Sequence, residues 1–143
     1  MFRNILVALD SSPTAERALG EAVELAEALN TRLTIISIVP PMPSYAYRAG
    51  IDLGALKHEA EAEAEQLLRE SVARLPDDLP VTTVLKHGHP GEEIVKQIET
   101  GDHDLVVMGS RGLGRVTSNL FGTVGGYVHF HTRAAMLVVH PED

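Results

Sequence analysis

The feature that most constrains the fold is the alternation of short apolar runs with amphipathic helical segments. Apolar runs typical of buried strands stand at NILVAL (4–9), RLTIISIVP (32–40), VTTVLKH (81–87), DLVVMG (104–109) and AMLVVH (135–140). Segments with helical periodicity separate them. The order βαβαβαβαβ predicts a parallel sheet with helices on both faces. We therefore expect an α/β fold: a single doubly wound domain, residues 1–143, built on a five-stranded parallel sheet.

The helical segments carry start signals of different strength. Ser12 is the expected N-cap of the first helix, with Pro13 at its first helical position. The proline- and tyrosine-rich residues 40–52 indicate an exposed loop, followed by a long helix over 53–75. Further helices are expected at 90–101 and from Thr123 to about Thr132. The apolar positions expected on the first and second of these helices are Ala18, Ala22, Leu25, Ala26 and Leu29, then Leu56, Ala60, Leu67 and Val72.

Composition excludes several classes of protein. The formal net charge is −8, and the basic residues are scattered, which argues against a nucleic-acid partner. The absence of cysteine removes disulfides and thiolate metal sites. The apolar run before Asp10 is too short for a secretory signal, and no run reaches the roughly 18 residues of a membrane span. We expect a cytoplasmic protein with no membrane insertion.

A glycine-rich loop follows the fourth apolar run. Gly109 is separated by two residues from Gly112, and nine further residues lead to Gly122 and Thr123 at an expected helix start. In open parallel sheets, ligands bind beyond the carboxyl ends of the strands, where the winding reverses. Glycine lets the backbone approach a ligand, and the amides at a helix N-terminus favour anions. The spacing matches neither a P-loop nor a dinucleotide fingerprint. It nevertheless predicts a phosphate-binding loop.

The stretch GSRGLGRVTSNLFGT, together with its surroundings, resembles the universal stress protein family. Its ATP-binding branch carries the signature G-x2-G-x9-G followed by Ser or Thr. The resemblance extends along the whole chain, through ILVALDSS, LTIISIVP, DLVVMGSRG and AMLVVH. It implies a Rossmann-like sheet of the adenine nucleotide alpha hydrolase type, with ATP as the ligand.

The resemblance implies adenine and ribose at the ends of the first two strands, and phosphates along the glycine loop. The nucleotide-binding residues it implies are Ala8, Leu9, Asp10, Ile38, Val39, Met108, Gly109, Ser110, Arg111, Gly112, Gly122, Thr123 and Val124. Two roles stay open for Asp10, which can accept ribose hydroxyls or help hold Mg²⁺ through water. Two structural alternatives also stay open, since Asp10 could only cap a helix and the glycines could only form tight turns.

The histidine pairs His87/His89 and His129/His131 raise the question of zinc. A pair two residues apart diverges on a helix, and no acidic or cysteine partner has ligand spacing. We assign no metal to these histidines.

The family resemblance also implies a homodimer and a regulatory function. In the family the last strand pairs with its copy in a second subunit, which here places Ala135, Met136, Leu137, Val138 and Val139 at the interface. The leading hypothesis is an ATP-dependent switch acting on an unidentified client protein. A nucleotide-independent dimeric interaction module is the alternative. A slow ATPase is third, because the glycine loop contains no acid to position water, and no catalytic residue is assigned.

Overall fold

The computed structural model of the chain describes residues 1–110 and 122–142. The strands are β1 (Asn4–Ala8), β2 (Arg32–Val39), β3 (Val81–His87), β4 (Leu105–Gly109) and β5 (Ala135–Val139). The helices are α1 (Pro13–Leu29), α2 (Ser44–Arg48), α3 (Leu53–Ala73), α4 (Pro90–Thr100) and α5 (Gly122–His131). Each predicted strand is present, and all lie close to their predicted bounds.

The described strands form one parallel sheet in the order β3-β2-β1-β4-β5. The chain winds outward from β1 through β2 to β3, and then crosses to β4 and β5 on the other side of β1. Residues of α1 and α3 pack with one face of the sheet, and those of α4 and α5 with the other. The predicted doubly wound α/β architecture is therefore confirmed, with the winding reversal between β1 and β4.

The start of α1 follows the predicted capping chemistry. The Ser12 hydroxyl accepts a hydrogen bond from the amide of Ala15 at 3.2 Å, and Pro13 occupies the first turn. The helix ends at Asn30, which adopts a left-handed conformation with φ of 53°.

The interpretation of residues 40–52 as a loop is wrong in its middle. These residues contain α2, a five-residue helix of which only Ala46 is buried. A single buried residue gives no periodic signal, so the hydrophobic pattern could not reveal the helix. Tyr45 and Tyr47 are both about two-thirds exposed.

The apolar stripe expected on α3 is confirmed only in part, since Leu67 packs against the core as expected. Leu68 is buried on this helix, whereas Val72 is 38% exposed. The long alanine- and glutamate-rich segment has high helix propensity at every position, so its sequence specifies the helix better than the face that packs.

A buried histidine, His103, lies at the amino end of the sheet. His103 is 7% exposed, and its Nε2 lies 3.1 Å from the side-chain nitrogen of Gln97. Nearby, the Asp104 carboxylate accepts hydrogen bonds from the amides of Arg3 and Asn4. Burial lowers the pKa of His103 below 6.5, although the backbone of Asn4 and the Asp104 carboxylate oppose this effect. His103 is therefore a neutral group in the folded protein at pH 7.

Acidification should destabilise the fold through His103. A histidine with a lowered folded-state pKa binds fewer protons when folded, so its contribution is complete above about pH 6.5 and is lost below it. Between about pH 7.5 and pH 5.5, the free energy of unfolding in urea should fall more steeply in the wild type than in His103→Gln, by at most about 1.4 kcal/mol per pH unit. Equal slopes in the two proteins would contradict this assignment.

The amino end of α1 packs tightly against the carboxyl end of β4. A Cβ added to Gly109 would lie 2.6 Å from Oγ1 of Thr14 and 2.9 Å from the carbonyl carbon of the same residue. The backbone of β4 therefore approaches α1 more closely than any other residue type permits. Gly109 has a packing reason to be glycine, in addition to any role toward a ligand.

Replacing Gly109 by alanine should destabilise the protein by about 1–3 kcal/mol, because the added methyl group overpacks the contact with α1. Gly126→Ala is the matched control, since a Cβ at that position on α5 meets nothing within 4 Å. We expect the control to raise stability by up to about 1 kcal/mol through helix propensity. Urea unfolding of both variants measures this difference, and equal stabilities would refute the close approach.

Candidate functional site

At the carboxyl ends of the strands, several predicted site residues lie in one row that runs across the strands. In the sheet, Ala8 pairs with Ile36 and Val7 with Val107. Backbone hydrogen bonds continue the pairing, from Leu9 N–H to the Ile36 carbonyl at 2.9 Å and from Ser110 N–H to the Val139 carbonyl at 2.8 Å. Extending both registers places Asp10 between Ile38 on β2 and Ser110 beyond β4. On β3, Lys86 pairs with Ile38 and ends the row.

Side-chain alternation assigns this row to one face of the sheet. Ala8 and Met108 belong to the core under α4 and α5, and Ile38 packs at its margin. Asp10 and Ser110 lie two residues beyond Ala8 and Met108, so the same alternation places them on this face. The structure thus brings together Ala8, Asp10, Ile38, Met108 and Ser110.

Three predicted residues belong to the opposite face. Leu9 is 1% exposed in the core under α1 and α3, and Val39 is 3% exposed. Gly109 faces Thr14 of α1. These residues can offer a ligand on the α4/α5 face only their backbone atoms, a distinction that the sequence prediction did not make.

Asp10 already supports the turn between β1 and α1. Its Oδ1 accepts a hydrogen bond from the amide of Ser12 at 2.8 Å, while Ser12 itself caps the helix. A carboxylate accepts several hydrogen bonds, so this contact leaves Asp10 able to accept more. The residue is partly exposed at the winding reversal. The structure therefore supports a turn-forming role for Asp10 and is compatible with a ligand contact.

Ser110 carries a buried hydroxyl group with no partner. The residue is 1% exposed, and its Oγ makes no hydrogen bond with the described part of the chain. Buried hydroxyl groups in native proteins are nearly always paired, so each exception requires a physical explanation. Within the row, Ser110 is therefore the residue whose hydroxyl lacks a hydrogen-bond partner among the described residues.

The N-terminus of α5 lies on the same face as the row. The helix begins at Gly122, one residue before its predicted start, and Gly122 has a φ of 68°. Val124 packs in the same core as Met108, whereas Thr123 is exposed. The first-turn amides of a helix have no intrahelical partner and attract anions. Arg111 and Gly112 lie outside the described residues, so their nucleotide contacts stay predictions.

One further residue of the row was missed at the sequence level. Lys86 is exposed at the end of β3, beside Ile38. The alternation in VTTVLKH, counted back from the strand end, could have placed this cation on the site face.

The histidines lie in separate environments. His87 Nε2 is 2.7 Å from Glu61 Oε1, and His131 Nδ1 is 2.8 Å from the carbonyl of Tyr127. Over residues 1–110 and 122–142, no three histidine, aspartate or glutamate side chains are grouped as metal ligands. None of the helices in these ranges is long and apolar enough to cross a membrane.

Two concave regions of the surface lie away from the row. One, of about 620 Å³, lies between α3 and β3 and is lined by Leu68, Val72, Val81 and Leu85 among others. The second, of about 370 Å³, is at the amino end of the sheet around His103 and Arg133. Neither contains a residue of the row.

Comparison with known sequences identifies the family. The sequence profile of the universal stress protein family matches residues 1–140. The chain belongs to this family. Among its relatives, universal stress protein Sll1388 of Synechocystis sp. is 30% identical over 150 residues, covering 96% of this chain and 97% of that protein. A universal stress protein encoded in the QAH/OAS sulfhydrylase 3′ region of Thermus aquaticus is 36% identical over 123 residues, covering 86% and 88%.

Solved structures of the universal stress protein fold superpose over nearly the whole chain. Hypothetical protein MJ0577 matches with a TM-score of 0.85 and 26% identity, covering 100% of this chain and 99% of that one. A universal stress protein in complex with cAMP has a TM-score of 0.71 at 24% identity, covering 99% of both chains. One from Archaeoglobus fulgidus in complex with dAMP has a TM-score of 0.72 at 22% identity, covering 96% and 97%. These likenesses establish the shared Rossmann-like fold.

Proposed function

We propose that this universal stress protein binds ATP at the winding reversal and acts as a nucleotide-dependent regulatory switch. The observation that carries the proposal is the row at the carboxyl ends of β1, β2 and β4, where Asp10 and the unpartnered Ser110 hydroxyl share a face with the start of α5. Such a crevice is where open α/β sheets bind ligands. Two solved structures of the family hold the adenine nucleotides cAMP and dAMP.

The proposed ligand lies across the row. Its adenine packs near Ala8 and Ile38, which offer apolar surface, and its ribose lies beside Asp10. The phosphates bind the first turn of α5 at Gly122, Thr123 and Val124, where backbone amides favour anions. Met108 and the backbone of Leu9, Val39 and Gly109 complete the described part of the site, and Arg111 and Gly112 are added from the sequence motif.

Magnesium fits the site in one specific way. Mg²⁺ is usually held by one or two carboxylates together with phosphates and water. Within the row, Asp10 is the carboxylate that can take this role through a water molecule. The ion would neutralise phosphate charge when bound.

Turnover is expected to be slow at most. Efficient hydrolysis needs a group that positions the attacking water. Asp10 is the acidic side chain of the described row, and one of its oxygens already holds the amide of Ser12. Bound nucleotide therefore serves the proposed switch by setting conformation or partner choice, rather than as a substrate.

The nucleotide site is tested by removing the Asp10 charge. We expect nucleotide-stripped protein to bind Mg-ATP in calorimetric titration, and Asp10→Asn to weaken binding about tenfold through loss of a charge-assisted hydrogen bond. Asp77→Asn is the matched control, because Asp77 is exposed before β3 at the other end of the sheet. Stripped wild-type protein with no affinity for ATP would refute the proposal.

The two edges of the described sheet differ in character, which supports a homodimer through β5. β3 exposes Thr82, Thr83, Lys86 and His87, whereas every residue of β5 is apolar. Charged side chains such as lysine protect an edge strand from pairing with another chain, and an apolar edge lacks that protection. We therefore infer that β5 pairs with its copy across a two-fold axis, through Ala135, Met136, Leu137, Val138 and Val139.

The dimer is tested by charging each edge in turn. Val138 is half-buried on β5, and Val138→Lys places a charge in the proposed interface. We expect this variant to sediment as a monomer at micromolar concentration, while the matched control Thr82→Lys on β3 sediments like the wild type. Circular dichroism confirms that both variants fold. A wild-type protein that is already monomeric, or a dimer unaffected by Val138→Lys, would exclude this interface.

A second candidate function is a nucleotide-independent interaction module. The observation that favours it is α5, which carries no Asp, Glu, Lys or Arg and leaves Phe130 85% exposed next to the ring of His131, which in turn stacks on Tyr127. Under this alternative, a client protein binds equally to the wild type and to Asp10→Asn. Under the leading proposal, client binding depends on ATP and is reduced in Asp10→Asn.

A further inference from the structure

We propose that Ser110 acts with Asp10 to hold a sugar hydroxyl of the bound nucleotide, and that Ser110 thereby reads whether that hydroxyl is present. This inference rests on the proposed nucleotide-binding function. It assigns a specificity-determining role to a single side chain, which neither the glycine motif nor the fold requires.

Strand register places Asp10 and Ser110 next to each other. β1 and β4 pair with an offset of 100 residues, from Ile5 with Leu105 to Val7 with Val107. The same offset places Asp10 opposite Ser110, two residues beyond Ala8 and Met108. Adjacent strands lie about 4.8 Å apart as far as Val7 and Val107, and beyond this pair the connections diverge at the winding reversal, which leaves room for a small group between Asp10 and Ser110. A small polar group of a ligand can therefore contact both side chains.

The second argument is the unmet hydrogen bond of Ser110. Its Oγ is shielded from water, yet it has no partner in the described part of the chain. An unpaired buried hydroxyl destabilises the structure, and a hydrogen bond from an arriving partner removes that cost. A hydroxyl group of a bound ligand would provide that partner.

The third argument is the chemistry of the pair. An ionised Asp10 only accepts hydrogen bonds, so it repels a phosphate oxygen and attracts a donor. A serine hydroxyl both donates and accepts. A ligand hydroxyl satisfies both side chains at once, because it can donate to Asp10 and accept from Ser110. On a nucleotide this is the 2′- or 3′-hydroxyl of the ribose, while the phosphates lie at α5.

The test is a cycle that combines a protein variant with a ligand variant. Wild type and Ser110→Ala are titrated with ATP, 2′-deoxy-ATP and 3′-deoxy-ATP in the presence of Mg²⁺. We expect Ser110→Ala to weaken ATP binding about fivefold, as loss of one neutral hydrogen bond implies. One of the two deoxy analogues lacks the hydroxyl held by Ser110. Ser110→Ala should bind that analogue as tightly as it binds ATP.

Stability gives a second readout with the opposite sign. Ser110→Ala removes an unsatisfied buried hydroxyl, so the ligand-free variant should resist urea at least as well as the wild type. Thr31→Val is the matched control, because Thr31 is 8% exposed just before β2 and its Oγ1 also has no partner among the described residues. This control should behave similarly in urea and bind all three nucleotides like the wild type.

The outcomes separate this inference from the proposed function. Wild-type protein that binds no ATP removes both. If the wild type binds ATP, and each deoxy analogue loses as much affinity in Ser110→Ala as in the wild type, then only the role of Ser110 is overturned. The same titrations are repeated with AMP and its deoxy analogues without Mg²⁺. If the effect of Ser110→Ala no longer depends on the sugar hydroxyl there, the inference is also overturned, because Ser110 then acts on the metal and the outer phosphates.

Discussion

The parallel pairing of β1 with both β2 and β4 is the constraint on which the rest of the structure depends. Because the chain leaves β1 in one direction and returns beside it on the other, the connections after β1 and β4 diverge, and a crevice opens between their carboxyl ends. Apart from Asn4 at the amino end of β1, the strands that create this crevice are apolar. At their carboxyl ends, polar side chains follow the strands at Asp10 and Ser110, which concentrates the chemistry of the described site in one row.

The same junction is also closely packed. Gly109 admits the first turn of α1, so the amino end of that helix is held against β4 beside the crevice. Asp10 and Ser12 fix the turn that leads into α1 through two local hydrogen bonds. A ligand at the row thus contacts a turn whose backbone conformation is already fixed by packing and helix capping. This is the arrangement that lowers the entropy cost of binding.

The sequence predicted the architecture well because each strand is a short apolar run and each connection has its own signal. Ser12 and Pro13 specified the start of α1, and the apolar runs specified the strands, although their order β3-β2-β1-β4-β5 within the sheet and the exposure of β3 were not predicted. It failed where the signal is not periodic: α2 buries only Ala46, and α3 has helix-forming residues on every face. For the site, the motif grouped Leu9, Val39 and Gly109 with Asp10 and Ser110. Alternation along each strand divides these residues into two sets, but which set faces α4 and α5 follows from the tertiary packing of the helices on the sheet.

Ser110 shows how nucleotide binding could be linked to assembly without a long pathway. Its hydroxyl belongs to the ligand row, whereas its amide donates to the carbonyl of Val139, the last residue of β5. One residue therefore contacts both the proposed cleft and the proposed dimer strand. A ligand shifts an equilibrium only through a difference in its interaction with the two states. A nucleotide bound to the Ser110 hydroxyl would act on the residue whose amide holds the carboxyl end of β5, and a second subunit pairing with β5 would act on the same residue. Since such coupling is reciprocal, a switch built on this residue requires that nucleotide affinity and dimer affinity change together.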